Sequence, residues 1–104
     1  MNRGEIRWYA FRVPDKRRPV PLLSRTEVVD QLNEVIVAPV TRTIRGLATE
    51  VALTQNDGTP VVCALNFDHV ALGQKDRLGP VLASLSASRG IEVRTALLIA
   101  CGFE

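Results

Sequence analysis

Little in this sequence suits metal or redox chemistry, since 104 residues include only two cysteines and one histidine. Cys63 and Cys101 stand far apart in apolar surroundings, "VVCAL" and "IACGF", which is neither a ligand spacing nor a redox pair. Both are expected as buried free thiols, the usual habit of cysteine. No His/Cys/carboxylate cluster has ligand spacing, and no Gly-rich loop offers to cradle a phosphate, so neither a metal nor any other cofactor is expected. No apolar run approaches the roughly 20 residues that cross a bilayer. Met1-Asn2-Arg3-Gly4-Glu5 has no apolar segment behind its charges, so no secretory signal is expected. The expectation is a cytoplasmic protein with no membrane partner. Aromatics are scarce at 5%, and three of the five fall in Trp8–Phe11. A generic SH3-type domain would need an aromatic-lined peptide groove, and this chain supplies one poorly.

What the chain does have is arginine, which provides eleven of its thirteen basic residues. Residues 1–45 hold nine Lys/Arg against five Asp/Glu, a net +4, whereas residues 46–104 hold four against six, a net −2. Guanidinium offers a planar fork for phosphate oxygens and a face that stacks on bases. A basic N-terminal half therefore suits a nucleic-acid or acidic-peptide partner.

Size and the absence of repeats or linkers lead us to expect one domain over 1–104. "GEIRWYAFRV" alternates Ile6, Trp8 and Ala10 against Arg7, Tyr9 and Phe11, which is strand periodicity, and Trp8 is expected inside. "PDKRR" reads as a turn and "PVPLL" as a strand in which Pro21 must sit at an edge or bulge. Ser24 and Glu27 make an S-x-x-E capping box for a short helix over "TEVVDQL". "EVIVAPV" reads as a buried strand, and "TRTIRGLA" as a polar, basic loop. "TEVAL" and "QNDGTP" suggest a hairpin with an Asp-Gly turn. "VVCALNF", "DHVAL" and a shorter "GPVLASL" follow as strands. Ser86 caps a last helix that Gly102 stops, with Val93, Ala96, Leu97 and Ala100 on its apolar face. Five to seven turn-linked strands with two helices predict a mainly β fold, a small barrel with helical additions.

Five blocks then occur in one order: "RGEIRWYAF", "RRPVPLLSR", "VIVAPVTRTIRG", "TEVAL" before "DG", and "DHVALGQKDRL". Together they resemble the MazF/PemK family of toxin–antitoxin endoribonucleases. The resemblance implies an SH3-like barrel that forms a homodimer, cuts single-stranded RNA without metal, and is neutralised by a cognate antitoxin protein. By position, Arg18 and Thr41 correspond to the family's catalytic pair. RNA can be cut by its own 2′-OH, so the enzyme need only position the phosphate and stabilise added charge. Arg18 would act as the electrostatic clamp, and Thr41 would hold a non-bridging oxygen. Arg17, Arg42, Thr43, Arg45, Asp68 and His69 are the expected RNA contacts. His69, the lone histidine, is also a candidate general base, although such a histidine often serves structure instead.

The chain departs from its resembled family in specific places. Arg42 follows the threonine where many relatives have serine, and Asp68 is followed by "HVAL" rather than by a "QIRT" run. Asn66 stands where the PemK branch uses a catalytic arginine. These departures imply a MazF-like site whose RNA sequence preference differs. A barrel that has lost catalysis and serves as a binding or co-repressor module is the alternative.

Overall fold

The computed structural model describes residues 1–11 and 16–104. The chain runs β1 (Glu5–Ala10), β2 (Arg17–Pro21), α1 (Thr26–Val29), β3 (Glu34–Val37), β4 (Val40–Thr41), β5 (Glu50–Leu53), β6 (Cys63–Asn66), β7 (Ala71–Gln74), β8 (Leu78–Ser84) and α2 (Ala87–Cys101). All strand pairings are antiparallel, in three sheets ordered β2-β1-β8, β3-β7 and β4-β6-β5. The fold is mainly β with two helices, as expected. Pro14 and Asp15 of the expected "PDKRR" turn lie outside the described residues.

Two cores divide the apolar side chains. One gathers Ile6, Val51, Leu53, Leu65, Phe67, Val93 and Ala96, and the other Tyr9, Val20, Leu22, Val29, Val35 and Val37. β1 feeds both, because Ile6 and Tyr9 point to opposite faces of the same strand. Its pairing with β8 slips between Ile6 and Arg7 and again before Tyr9, the irregularity expected where a strand must serve two packings. Trp8 shares the face of Ile6 but lies past the end of that core, so it is only half-buried rather than inside. Tyr9 is the buried aromatic of β1, and its hydroxyl accepts the Gln74 amide at 3.0 Å. β6 is buried at all four positions because it is the central strand of its sheet. Pro21 ends β2, an edge strand of its sheet, where its missing amide costs nothing.

Several local expectations are corrected by tertiary contacts. α1 is only four residues long and its N-cap is Arg25, with no side-chain cap. The Ser24 hydroxyl instead accepts the Ile36 amide at 2.8 Å, so the capping box does not form. "EVIVAPV" is split at Ala38-Pro39 and alternates, with Val35 and Val37 buried and Ile36 outward. β8 is the longest strand, at seven residues. Cys63 is buried as expected, and burial pushes its thiol pKa up, but Cys101 is exposed at the helix end.

Helix α2 follows its sequence signals. The Ser86 hydroxyl accepts the Arg89 amide at 3.2 Å, and Gly102 stops the helix at φ +75°. Its first turn is tied to the β5–β6 connection by the Arg89 guanidinium, which grips both carboxylate oxygens of Asp57 at 3.0 and 3.1 Å. That connection is not a two-residue Asp-Gly turn. Thr54 and Asp57 form a capping box around a 3₁₀ turn at Gln55–Asp57, and Gly58 leaves it at φ +93°.

Two outcomes follow from this junction. A Cβ on Gly58 would lie 2.8 Å from the Ala83 Cβ and hold a left-handed φ, so Gly58→Ala should cost about 2 kcal/mol and lower Tm by about 10 °C in thermal unfolding. The Arg89 pairing lowers the Asp57 pKa. A depressed carboxylate stabilises the fold above its unfolded pKa of about 3.9, and that contribution is lost as pH falls through the folded value. Asp57→Asn should therefore cost about 1–2 kcal/mol at neutral pH, and denaturant midpoints should show the gap closing as pH falls from about 5 toward 2.

Candidate functional site

The strand ends of β2 and β4 open onto a cleft of about 710 Å³ lined by Trp8, Arg17, Arg18, Thr41, Arg42 and Thr43, and also by Thr59, Pro60, Val61 and Cys63. Five expected site residues thus converge: Arg17, Arg18, Thr41, Arg42 and Thr43. Both tandem arginines are exposed. The β1–β2 register sets Arg18 opposite Tyr9, and Trp8 opposite Pro19, so alternation puts Arg17 on the Trp8 face. The Arg17 guanidinium carbon lies 5.6 Å from the Trp8 ring centroid, a cation–π arrangement. Among the described residues, no ion pair engages Arg17, Arg18, Arg42 or Arg45.

Thr41 ends β4 half-buried, and its hydroxyl accepts the Thr43 amide at 3.0 Å. Its contact with the Thr43 carbonyl is 3.4 Å, long for an O–H donor, which leaves that proton free to turn toward a ligand. The basic loop beyond it is anchored by a residue that sequence reading did not single out. One carboxylate oxygen of Glu50 accepts the Arg45 amide at 3.0 Å and the Leu47 amide at 3.3 Å, and its other oxygen is buried without a partner. The only sequence signal was an acid placed directly after a basic loop.

Asp68 and His69 do not line this cleft. They lie in a 3₁₀ turn at Phe67–His69, not in a strand, because the buried Asn66 side chain accepts the Asp68 amide at 3.0 Å and turns the backbone. Asp68 accepts the Thr49 hydroxyl at 2.7 Å. His69 opens instead on a second cavity of about 620 Å³ with Tyr9, Phe11, Leu72 and Arg77. Among the described residues no three His, Cys, Asp or Glu side chains gather, and no helix is long and apolar enough to cross a membrane.

This mainly β fold with a C-terminal helix matches solved structures of MazF toxins. The M. tuberculosis toxin MazF-mt6 superposes with a TM-score of 0.87 at 32% identity, covering 96% of this chain and 98% of that one. A MazE-MazF structure from Deinococcus radiodurans gives 0.82 at 25% identity, covering 100% and 97%. The probable endoribonuclease MazF5 of M. tuberculosis (strain ATCC 25618 / H37Rv) is 39% identical over 99 residues, 94% of this chain and 90% of that protein. The family model for the PemK-like, MazF-like toxin of type II toxin-antitoxin systems matches residues 2–101. The chain belongs to that family.

Glu50→Ala should release the Arg45 and Leu47 amides, read as faster hydrogen exchange at those two positions while β5 and β6 stay protected. Glu50→Gln keeps an acceptor oxygen and should retain most of that protection.

Proposed function

We propose that this chain is the toxin of a toxin–antitoxin pair, a sequence-specific endoribonuclease that cuts single-stranded RNA, most readily mRNA, in the cytoplasm and without a metal ion. The observation that carries the reading is the meeting of Arg18 and Thr41 in one basic cleft of a MazF-family fold. The naming of its relative MazF5 as a probable endoribonuclease favours catalysis over an inactive binding module.

The chemistry needs little from the protein. The substrate's 2′-OH attacks the adjacent phosphorus, the P–O5′ bond breaks, and a 2′,3′-cyclic phosphate and a 5′-OH result. Arg18 binds the non-bridging oxygens and offsets the charge that builds on them, a role that suits a group that stays protonated at neutral pH. The Thr41 hydroxyl donates to one of the same oxygens, and the Thr43 amide holds it in place. Arg42, Thr43 and Arg45 belong to the exposed loop that would track the RNA backbone, whereas Asp68 and His69 would meet RNA only beyond the cleft. Duplex RNA should resist, since its bases are stacked out of reach.

The domain spans 1–104 and acts as a homodimer. Its antitoxin would present an acidic, apolar-anchored segment to the same basic cleft, a reading motivated by the basic N-terminal half of the chain; the D. radiodurans neighbour is itself a MazE-MazF structure.

Purified protein should cut RNA in EDTA and leave a 2′,3′-cyclic phosphate or 3′-phosphate beside a 5′-OH. Arg18→Ala should lower the single-turnover rate by about 10²–10³-fold, and Arg18→Lys should rescue little because a point charge does not reproduce a bidentate fork. A strict Mg²⁺ requirement, or full activity in Arg18→Ala, would sink this mechanism.

A further inference from the structure

Trp8 is the one aromatic side chain lining the cleft, and the catalytic scheme above leaves it unused. Trp8 is half-buried, and the Arg17 guanidinium carbon stands over its ring, 5.6 Å from the centroid. The two are diagonal partners across β1 and β2, because Trp8 pairs with Pro19 and Arg17 stands two residues before it on the same face. Gly79 makes room for the arrangement. A Cβ there would come within 3.3 Å of Arg17 Nη2 and 3.6 Å of the Trp8 Cβ. No carboxylate among the described residues pairs with Arg17, so the indole is its stacking partner.

We propose that Trp8 is the base-stacking platform of this cleft and that Arg17 is its removable cover, which a base of single-stranded RNA displaces and which then binds an adjacent phosphate. This deepens the nuclease reading and rests on it. Both halves of the exchange run downhill. Stacking of a base on an aromatic ring outweighs an exposed cation–π contact. The released guanidinium trades a π face for charged oxygens that it can hold with two hydrogen bonds. A ligand with a base but no phosphate gains only the first half, and a phosphate backbone without bases gains only the second. The cover therefore selects for polynucleotide over either fragment. Every base has a π face, so the platform itself contributes affinity and register rather than sequence choice.

Trp8 is the only tryptophan in the chain, which makes its emission a direct reporter. The probes are an eight-nucleotide 2′-fluoro RNA strand, uncleavable because it lacks the 2′-OH, and the same backbone without bases. Cleavage of the unmodified RNA is followed in parallel. The base-bearing strand should bind and shield Trp8 from acrylamide quenching, while the abasic strand should bind about tenfold more weakly and give no shielding. Arg17→Ala should raise quenching in the free protein and keep the shielding by the base-bearing strand. The same change should flatten the log K against log salt slope by about 0.7, the share of one single-strand phosphate contact. Trp8→Ala should cost the base-bearing strand about tenfold in affinity and leave the abasic strand unchanged. Should that variant not fold, the wild-type quenching comparison decides alone. If RNA is cut but the bound base-bearing strand leaves Trp8 quenching unaltered, the platform is wrong. If the strand shields Trp8 but RNA stays uncut, the nuclease reading fails and the platform stands.

Discussion

Strand β1 is held between β2 and β8, and its Ile6 enters one core while its Tyr9 enters the other. That double burial fixes where everything else can sit. A strand committed on both faces cannot slide by one residue without placing apolar groups in water and charges in a core. The register of β2 against it is therefore fixed too, and with it the positions of Arg17 and Arg18. β4 lies beside β2 and brings Thr41 to the same cleft. The site is thus built on short strands whose placement is enforced by packing several residues away.

The Thr59–Val61 part of the cleft lining has a separate support. Thr59, Pro60 and Val61 belong to the β5–β6 connection, whose 3₁₀ turn is clasped by Arg89 from the first turn of α2. Thr59 is buried, with its hydroxyl within 3.0 Å of the Thr54 and Val61 carbonyls. A bidentate pair with side chains only 25% and 12% exposed gives this wall more than an exposed ion pair would. The C-terminal helix thereby supports the cleft without lining it.

How legible this was depended on how local each cause is. The ends of α2 could be read because a serine cap and a left-handed glycine act within one turn of chain. Ser24 misled because the amide it satisfies, that of Ile36, is brought near only by the fold. His69 looked like a strand residue because nothing in "NFDHV" announces that Asn66 will turn the backbone with its own side chain. Trp8 obeyed the alternation that placed it inside, but periodicity cannot say where a core ends along a strand. Arg18 and Thr41 were found only through the order of the sequence blocks, since an exposed arginine and a strand-end threonine carry no signal alone. Glu50 was missed for the same reason as Ser24: its partners are backbone amides of a loop that has no pattern.

The electrostatics of the cleft follow from how the acidic residues are spent. Asp57 is held by Arg89, Glu5 by Arg7, and Glu92 also by Arg89. Glu50 is turned inward to loop amides, and Asp68 to the Thr49 hydroxyl. Each of these carboxylates is engaged by a partner within the fold, and none of them pairs with the guanidinium groups of Arg17, Arg18 or Arg42. Among the described residues no carboxylate pairs with these guanidinium groups, and a concave basic surface of this kind concentrates polyanions. A carboxylate introduced here, as at Thr43, would shorten the reach of the basic surface's field without disturbing either core. The ion pairs of the described residues and the basic side chains of the cleft are thus separate sets of charges, so Arg42 and its neighbours can be exchanged while the packing that positions them stays as it is.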